Sequence, residues 1–230
     1  MKTIGLIGGM SWESTTSYYQ EINRGVASAL GGFHSARIAL YSVDFDEIEK
    51  MQSTGAWDEL AEILSRAAQA VEAGGADFFL ICTNTMHKVA AQVEASVSIP
   101  LLHIADATAR QLQADGVKKV GLLGTAFTME QDFYKQRLRD NFGIDVVVPN
   151  EEQRQDVHKV IYSELCQGVI TNESKERYLE IVDELYKTGA QAVILGCTEI
   201  GLLINQGDTE SILYDTTVIH AAAAVSQALS

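Results

Sequence analysis

Lys2-Thr3-Ile4-Gly5-Leu6-Ile7-Gly8 opens the chain and returns 116 residues later as Lys118-Lys119-Val120-Gly121-Leu122-Leu123-Gly124. Each copy reads as a short apolar strand closed by a glycine. A second pair follows at nearly the same distance. Gly75-Ala76 opens a strand ending in Cys82-Thr83-Asn84-Thr85, and Gly189-Ala190 opens one ending in Cys197-Thr198-Glu199, an offset of 114. One repetition at about half the chain length implies two similar lobes rather than a solenoid.

Working outward, strands are expected at Thr3–Ile7, Ala36–Val43, Phe78–Cys82, Leu101–Ile104, Val120–Leu123, Val146–Val148, Ala192–Leu195 and Ile212–Tyr214. Helical spacing marks Ser14–Leu30, Trp57–Ala73, Thr85–Ala95, Asp106–Ala114, Met129–Asn141, Asp156–Gln167, Glu173–Lys187 and Thr217–Leu229. In the clearest of these, Leu60, Ile63, Leu64, Ala67 and Val71 form one apolar stripe that stops at Gly74-Gly75. Apolar strands alternating with helices predict an α/β fold of two pseudo-symmetric lobes, each a mainly parallel sheet flanked by helices. The division falls near Ala105, with residues 1–105 and 214–230 in the first lobe and 106–213 in the second.

Of 230 residues, 47% are hydrophobic and 21% charged, which fits an ordinary globular protein and excludes a disordered or collagen-like chain. No stretch reaches the apolar length of a membrane span, and the N-terminus lacks the features of a signal peptide. A cytoplasmic location without a membrane partner is expected. The formal net charge of −14 argues against nucleic acid, whose recognition begins with a basic face. Such a surface also repels small anions, so an anionic ligand needs local help from helix N-termini and fixed backbone N–H groups. Cys82, Cys166 and Cys197 form neither a disulfide framework nor a zinc pair, and the histidines show no ligand spacing. No metal is expected.

In open parallel α/β sheets, ligands bind beyond the C-terminal ends of the strands. The repeat therefore directs four loops to one active site between the lobes: Gly8–Thr15, Thr83–His87, Thr125–Met129 and Cys197–Gly201. Their Ser, Thr and Asn side chains suit a small polar ligand. A dinucleotide fits poorly, because the Rossmann fingerprint spaces its glycines by two and then three, and here they fall at 5, 8 and 9.

Gly8-Gly9-Met10-Ser11, Cys82-Thr83-Asn84-Thr85-Met86-His87, Gly124-Thr125 and Gly196-Cys197-Thr198-Glu199 together resemble the cofactor-independent aspartate/glutamate racemases across essentially the whole chain. The Met10–Thr15 loop is similar to the L-aspartate/glutamate-specific or broad-specificity branch. The resemblance implies two α/β lobes, a homodimer, and inversion at the Cα of an acidic amino acid without pyridoxal phosphate or another cofactor. Inversion removes Cα–H from one face and delivers a proton to the other, so two acid/base groups must flank the substrate. A duplicated scaffold supplies one from each side. A thiolate is a workable base, since a free thiol pKa of about 8.5 drops at a helix N-terminus.

Relatives commonly carry a cysteine directly before Asn-Thr in the first lobe; here that residue is Thr83, with Cys82 one place earlier. Counting from Gly75 and from Gly189 makes Thr83 the counterpart of Cys197 and turns Cys82 into the core, because neighbouring strand residues point to opposite sides. A bulge at the strand end would instead bring Cys82 inward. With Thr83 opposite Cys197, the thiol abstracts a proton and the alcohol delivers one.

Met10, Gln52, Asn84, Thr85, Thr125, Thr198 and Glu199 are the expected substrate-binding residues. Asn84, Thr85 and Thr198 sit where helices begin and read equally as caps. Gln52 stands just before the long helix, where many relatives use arginine for the distal carboxylate; an amide binds more weakly. Glu199 either accepts from the substrate ammonium or orients Cys197. Cys166 occupies a place where some relatives have a carboxylate-binding lysine, which leaves the substrate range open. His87 reads as a capping or packing residue, and Tyr18, Tyr19, Tyr162 and Tyr178 read as helix-face packing. Two rival functions remain: a cofactor-free lyase or decarboxylase with one acid/base cysteine, and a non-catalytic binder of an acidic metabolite.

Overall fold

A computed structural model describes residues 1–230, which divide into two compact units, Met1–Ile104 with His220–Ser230, and Ala105–Ile219. In the first unit, β1 (Ile4–Gly8) lies between β2 (Ile38–Ser42) and β3 (Phe78–Ile81), all parallel. The connections are α1 (Trp12–Leu30) between β1 and β2, and α2 (Phe45–Thr54) with α3 (Trp57–Ala73) between β2 and β3. A 3₁₀ turn (Thr85–Val89) and α4 (Ala90–Glu94) follow β3.

The pleat sorts side chains onto two faces. Ile4, Leu6, Phe78, Leu80 and Cys82 pack with Tyr18, Ile22 and Val26 on one face; Ile7, Phe79 and Ile81 pack with Leu60, Leu64 and Ala67 on the other. The apolar stripe of α3 explains its seat, since each fully buried Leu contributes about 1.5–3 kcal/mol relative to exposure.

The second unit repeats the plan. After α5 (Ile104–Ala114) come β4 (Lys119–Gly124), α6 (Ala126–Glu130), α7 (Asp132–Phe142), β5 (Asp145–Val147), α8 (Glu151–Ser163), α9 (Asn172–Lys187), β6 (Ala192–Gly196), α10 (Ile200–Leu203) and β7 (Leu213–Asp215). The strands form a parallel sheet in the order β5-β4-β6-β7. The ladders correspond residue by residue: Gly5 pairs with Phe79, and its repeat partner Gly121 pairs with Val193. Helix α11 (Thr216–Leu229) closes the chain, with Ala221, Ala224 and Val225 in the first unit's core.

The sequence expectations of α/β layers and parallel strands hold; several boundaries do not. Leu101–Ile104 is no strand: Leu101 makes one bridge to Phe79, and Ile104 already begins α5. The stretch expected as one helix from Thr85 to Ala95 starts with a 3₁₀ turn. Met129–Asn141 is broken at Gln131, whose extended backbone separates α6 from α7. Helix α8 starts earlier than expected because Asn150 and Gln153 form a reciprocal capping box. Helix α2 was not expected; Asp44 caps its start and left-handed Gly55 closes it. The return to the first unit also comes later than residue 214. Leu213–Asp215 pair with Val193–Leu195 in the second sheet, and the chain rejoins the first unit at His220.

Candidate active site

At the end of β1 the chain turns sharply through Gly9, whose φ of 91° and close approach to the Val43 carbonyl leave no room for a Cβ. The Gly9 N–H donates to Thr15 Oγ1 (2.8 Å), and that hydroxyl donates to the Ser11 carbonyl (2.7 Å). Met10 is buried in the same apolar cluster as Met86. Gln52 lies just ahead of α3 as expected, within α2, and its buried amide donates to Met86 Sδ (3.1 Å).

The end of β3 settles how its residues alternate. Cys82 continues the Phe78–Leu80 side and is wholly buried among Ile4, Leu6 and Tyr18. Burial alone pushes its thiol pKa far up, so it is an inert core group. Thr83 is partly exposed, while Asn84 and Thr85 are buried. The Thr83 carbonyl accepts from His87 Nδ1 (2.7 Å), one helical turn ahead.

In the second unit, Val193, Leu195 and Cys197 share one side of β6 and its extension. One step past the paired Leu123 and Leu195, Gly124 stands level with Gly196; in the first unit the corresponding step sets Gly8 level with Cys82. Thr83 and Cys197 are thus the next residues of two matching strands. Thr125 stands at the neighbouring strand end and caps α6, accepting from the Thr128 N–H (3.3 Å). The Ala126 N–H donates to His158 Nδ1 (3.1 Å), and burial lowers the pKa of that ring.

Cys197, Thr198 and Glu199 form one buried group. The Cys197 thiol donates to Glu199 Oε2 (2.9 Å), and the Thr198 hydroxyl donates to the same oxygen (3.0 Å). This corrects the expectation of a lowered thiol pKa. Burial first, and then the Glu199 charge, hold the Cys197 thiol well above its ordinary range. The helix that follows, α10, has only four residues and a weak dipole. The resting site therefore presents a protonated thiol hydrogen-bonded to a carboxylate, which can give a proton, or take one after passing its own to Glu199.

The structure brings Cys197, Thr198 and Glu199 together, and it brings Gln52 and Met10 around Met86 beside Thr85. His87 caps its loop as expected, whereas sequence reasoning passed over His158; each holds a backbone group in a strand-end loop. For His87 a signal was available: it lies four residues after Thr83, the spacing of one helical turn. Tyr18 and Tyr178 are packing residues with a polar duty as well, bonding His220 Nδ1 and the Val157 carbonyl (both 2.8 Å).

Three comparisons bear on this geometry. The profile of the Asp/Glu/Hydantoin racemase family matches residues 7–225. The structure of a candidate Asp/Glu racemase from Yersinia pestis is 52% identical, superposes with a TM-score of 0.92, and covers 100% of both chains. That of an aspartate racemase homologue from Pyrococcus horikoshii OT3 is 36% identical with a TM-score of 0.86, again over 100% of both. The broad specificity amino-acid racemase RacX of Bacillus subtilis (strain 168) is 23% identical over 180 residues, 75% of this chain and 74% of that protein.

Proposed function

The chain belongs to the Asp/Glu/Hydantoin racemase family, and from that premise we propose that it inverts the Cα of aspartate or glutamate, without a cofactor, by proton transfer between Cys197 and Thr83. The observation that carries the mechanism is the buried Cys197 thiol donating to Glu199 Oε2 at 2.9 Å. A thiol held protonated cannot abstract a proton until it has lost its own, and Glu199 is placed to receive it. Toward the L-enantiomer, the thiol proton passes to Glu199, Cα–H passes to sulfur, and the Thr83 hydroxyl gives a proton to the opposite face. Solvent then restores Thr83, and the Glu199 proton is released.

An alcohol is a poor base without help, so Thr83 serves best as a relay. The reverse reaction uses the same steps backward. Because enantiomers have equal free energy, both directions share one kcat/KM even where their kcat and KM values differ. The hard step is the carbanion, and buried donors must meet its developing charge. We assign Thr198, Asn84, Thr85 and Thr125, together with the backbone N–H groups around Met10, to the substrate carboxylate and amine. Gln52 is assigned to the distal acid group, where an amide forms a weaker bond than an arginine fork. The family resemblance supports a homodimer, and the cytoplasm is the compartment proposed for it.

The test is incubation with L-aspartate or L-glutamate in deuterium oxide with no added cofactor. A racemase yields the D-enantiomer carrying deuterium at Cα. A changed carbon skeleton would identify a lyase or decarboxylase, and no change at all a binder; either result overturns the proposal. Light scattering of the purified protein checks the dimer.

A further inference from the structure

Three buried histidines, His87, His103 and His220, gather in the first unit beneath the strand end that carries Thr83. The His87 ring lies 4.4 Å from that of His103 and 6.2 Å from that of His220, centroid to centroid. They are not a metal site, for no cluster of three or more His, Cys, Asp or Glu side chains is arranged to hold an ion. Their hydrogen bonds say what they do instead. A carbonyl can only accept, so His87 Nδ1 carries the proton it gives to the Thr83 carbonyl (2.7 Å). Its other nitrogen then has a free lone pair, which accepts from the Ile104 N–H (3.3 Å). His220 is the mirror case: Nε2 donates to the Leu102 carbonyl (2.8 Å), and Nδ1 accepts from the Tyr18 hydroxyl (2.8 Å). Both rings are neutral, each fixed in one tautomer, and together they use opposite tautomers.

The placement is specific. Ile104 is the last residue before the chain leaves the first unit, and His220 is the first residue when it returns. The backbone at the outgoing crossing, Leu102–Ile104, is therefore held by one histidine from the Thr83 loop and one from the incoming crossing. The second unit has no such hub. Position 87 corresponds there to Gly201, where a Cβ would run into the Asp215 carboxylate.

Resting on the assignment of Thr83 as the alcohol that transfers a proton, we infer that His87 is a positioning residue for that transfer, fixing the Thr83 backbone to the crossing segment through its neutral Nδ1–H tautomer. It touches the Thr83 carbonyl, not the reacting atoms. Without it, the Thr83 hydroxyl loses its fixed place while the Cys197 half of the reaction is left intact. Misplacement on the scale of an ångström can cost a factor on the order of 100 in a proton-transfer step.

The readout is the partition between exchange and inversion. Wild type and variants are incubated with the L-enantiomer in deuterium oxide, and deuterium is measured separately in the remaining L form and in the D product. In wild type the label appears mainly in the D form. In His87→Leu, sulfur still removes and returns a proton on its own face, so labelled L should rise relative to labelled D by roughly tenfold or more. In His87→Asn, whose amide N–H can replace Nδ1–H toward Thr83, the ratio should stay near that of wild type. Should His87→Leu fail to fold, His87→Gln takes its place, since its longer side chain moves the donor away from the Thr83 carbonyl. A folded Leu or Gln variant with an unchanged ratio, or with both labels reduced in parallel, would overturn the positioning role. Wild type that neither exchanges nor inverts would overturn the racemase reading itself, and the inference with it.

Discussion

Two strand ends, Cys82–His87 and Gly196–Gly201, occupy corresponding places in matching sheets and differ in charge. At the second, a carboxylate is buried beside the functional group, and it raises the proton affinity of Cys197 while offering that proton a place to go. At the first, the residue matching Glu199 is Thr85, and the partner of the loop is the neutral ring of His87, which holds backbone and carries no charge. The ladder is shared while the side chains at its end differ. A backbone register is set by hydrogen bonds common to all residues, whereas a proton affinity depends on one or two side chains and on how dry they are.

The sharpest way to break the comparison is to remove the group that sets the second end apart. Cys197→Ser should lower kcat/KM on the order of 10⁴-fold, equally in both directions, with the circular dichroism spectrum unchanged. Substitution of buried Cys82 by Ala should leave the chemistry intact and cost only stability. If Cys82→Ala abolishes turnover, the alternation read at the end of β3 fails.

The next largest effect is on stability and belongs to the first unit. Burial pushes the pKa of His220 down to about 3. A group with a lowered folded-state pKa contributes stability above its unfolded value, about 6.5 for histidine, and that contribution is lost as pH falls from there toward 3. It amounts to roughly 3–5 kcal/mol. Denaturant unfolding of wild type and His220→Gln across that window should converge as pH falls, because the variant has no ring to protonate. Parallel curves would show that His220 takes up its proton as readily in the native state as in the unfolded chain.

Much of this contrast was legible in the sequence. The repeat disclosed parallel α/β architecture in two lobes because it preserves what the backbone needs: glycine at each strand centre, where Leu185 or Val71 crosses closely, and apolar runs on either side. Counting from Gly75 and Gly189 was equivalent to counting along the ladders. What could not be read was anything decided by tertiary surroundings. The Cys197 thiol looked like one favoured at a helix N-terminus; its burial beside Glu199 and the shortness of α10 reversed the sign. Helix α2 escaped because it is short and its apolar positions are few, with only Ile48 and Gln52 buried. The late return at His220 depends on β7 pairing with β6, a long-range choice that a three-residue strand does not announce.

Replacing the carboxylate tests whether its charge is what separates the two ends. Glu199→Gln keeps an acceptor for the thiol but removes the negative charge that raises the thiol pKa, so that pKa should fall. Alkylation by iodoacetamide follows the thiolate, and its rise with pH should begin lower in the variant than in wild type. Turnover should nevertheless drop about 100-fold, because the amide cannot accept the thiol's proton. A variant with an unchanged alkylation profile would leave burial as the sole cause of the raised pKa.

The smallest expected effect comes from making the ends alike. Thr83→Cys puts a second thiol at the place corresponding to Cys197, but without a Glu199 beside it, since Thr85 stands at the matching position. Sulfur gives up a proton far more readily than an alcohol, so the relay at this end should improve and turnover should rise about tenfold in both directions. The gain stays modest because the new thiol lacks a proton acceptor. Adding Thr85→Glu to Thr83→Cys supplies one, and kcat of the double variant should exceed that of Thr83→Cys while KM rises, because Thr85 no longer holds the substrate. If instead the double variant falls below Thr83→Cys, a buried charge at this end is costlier than the proton transfer it assists, and that cost would explain why a neutral histidine, not a carboxylate, serves the first strand end.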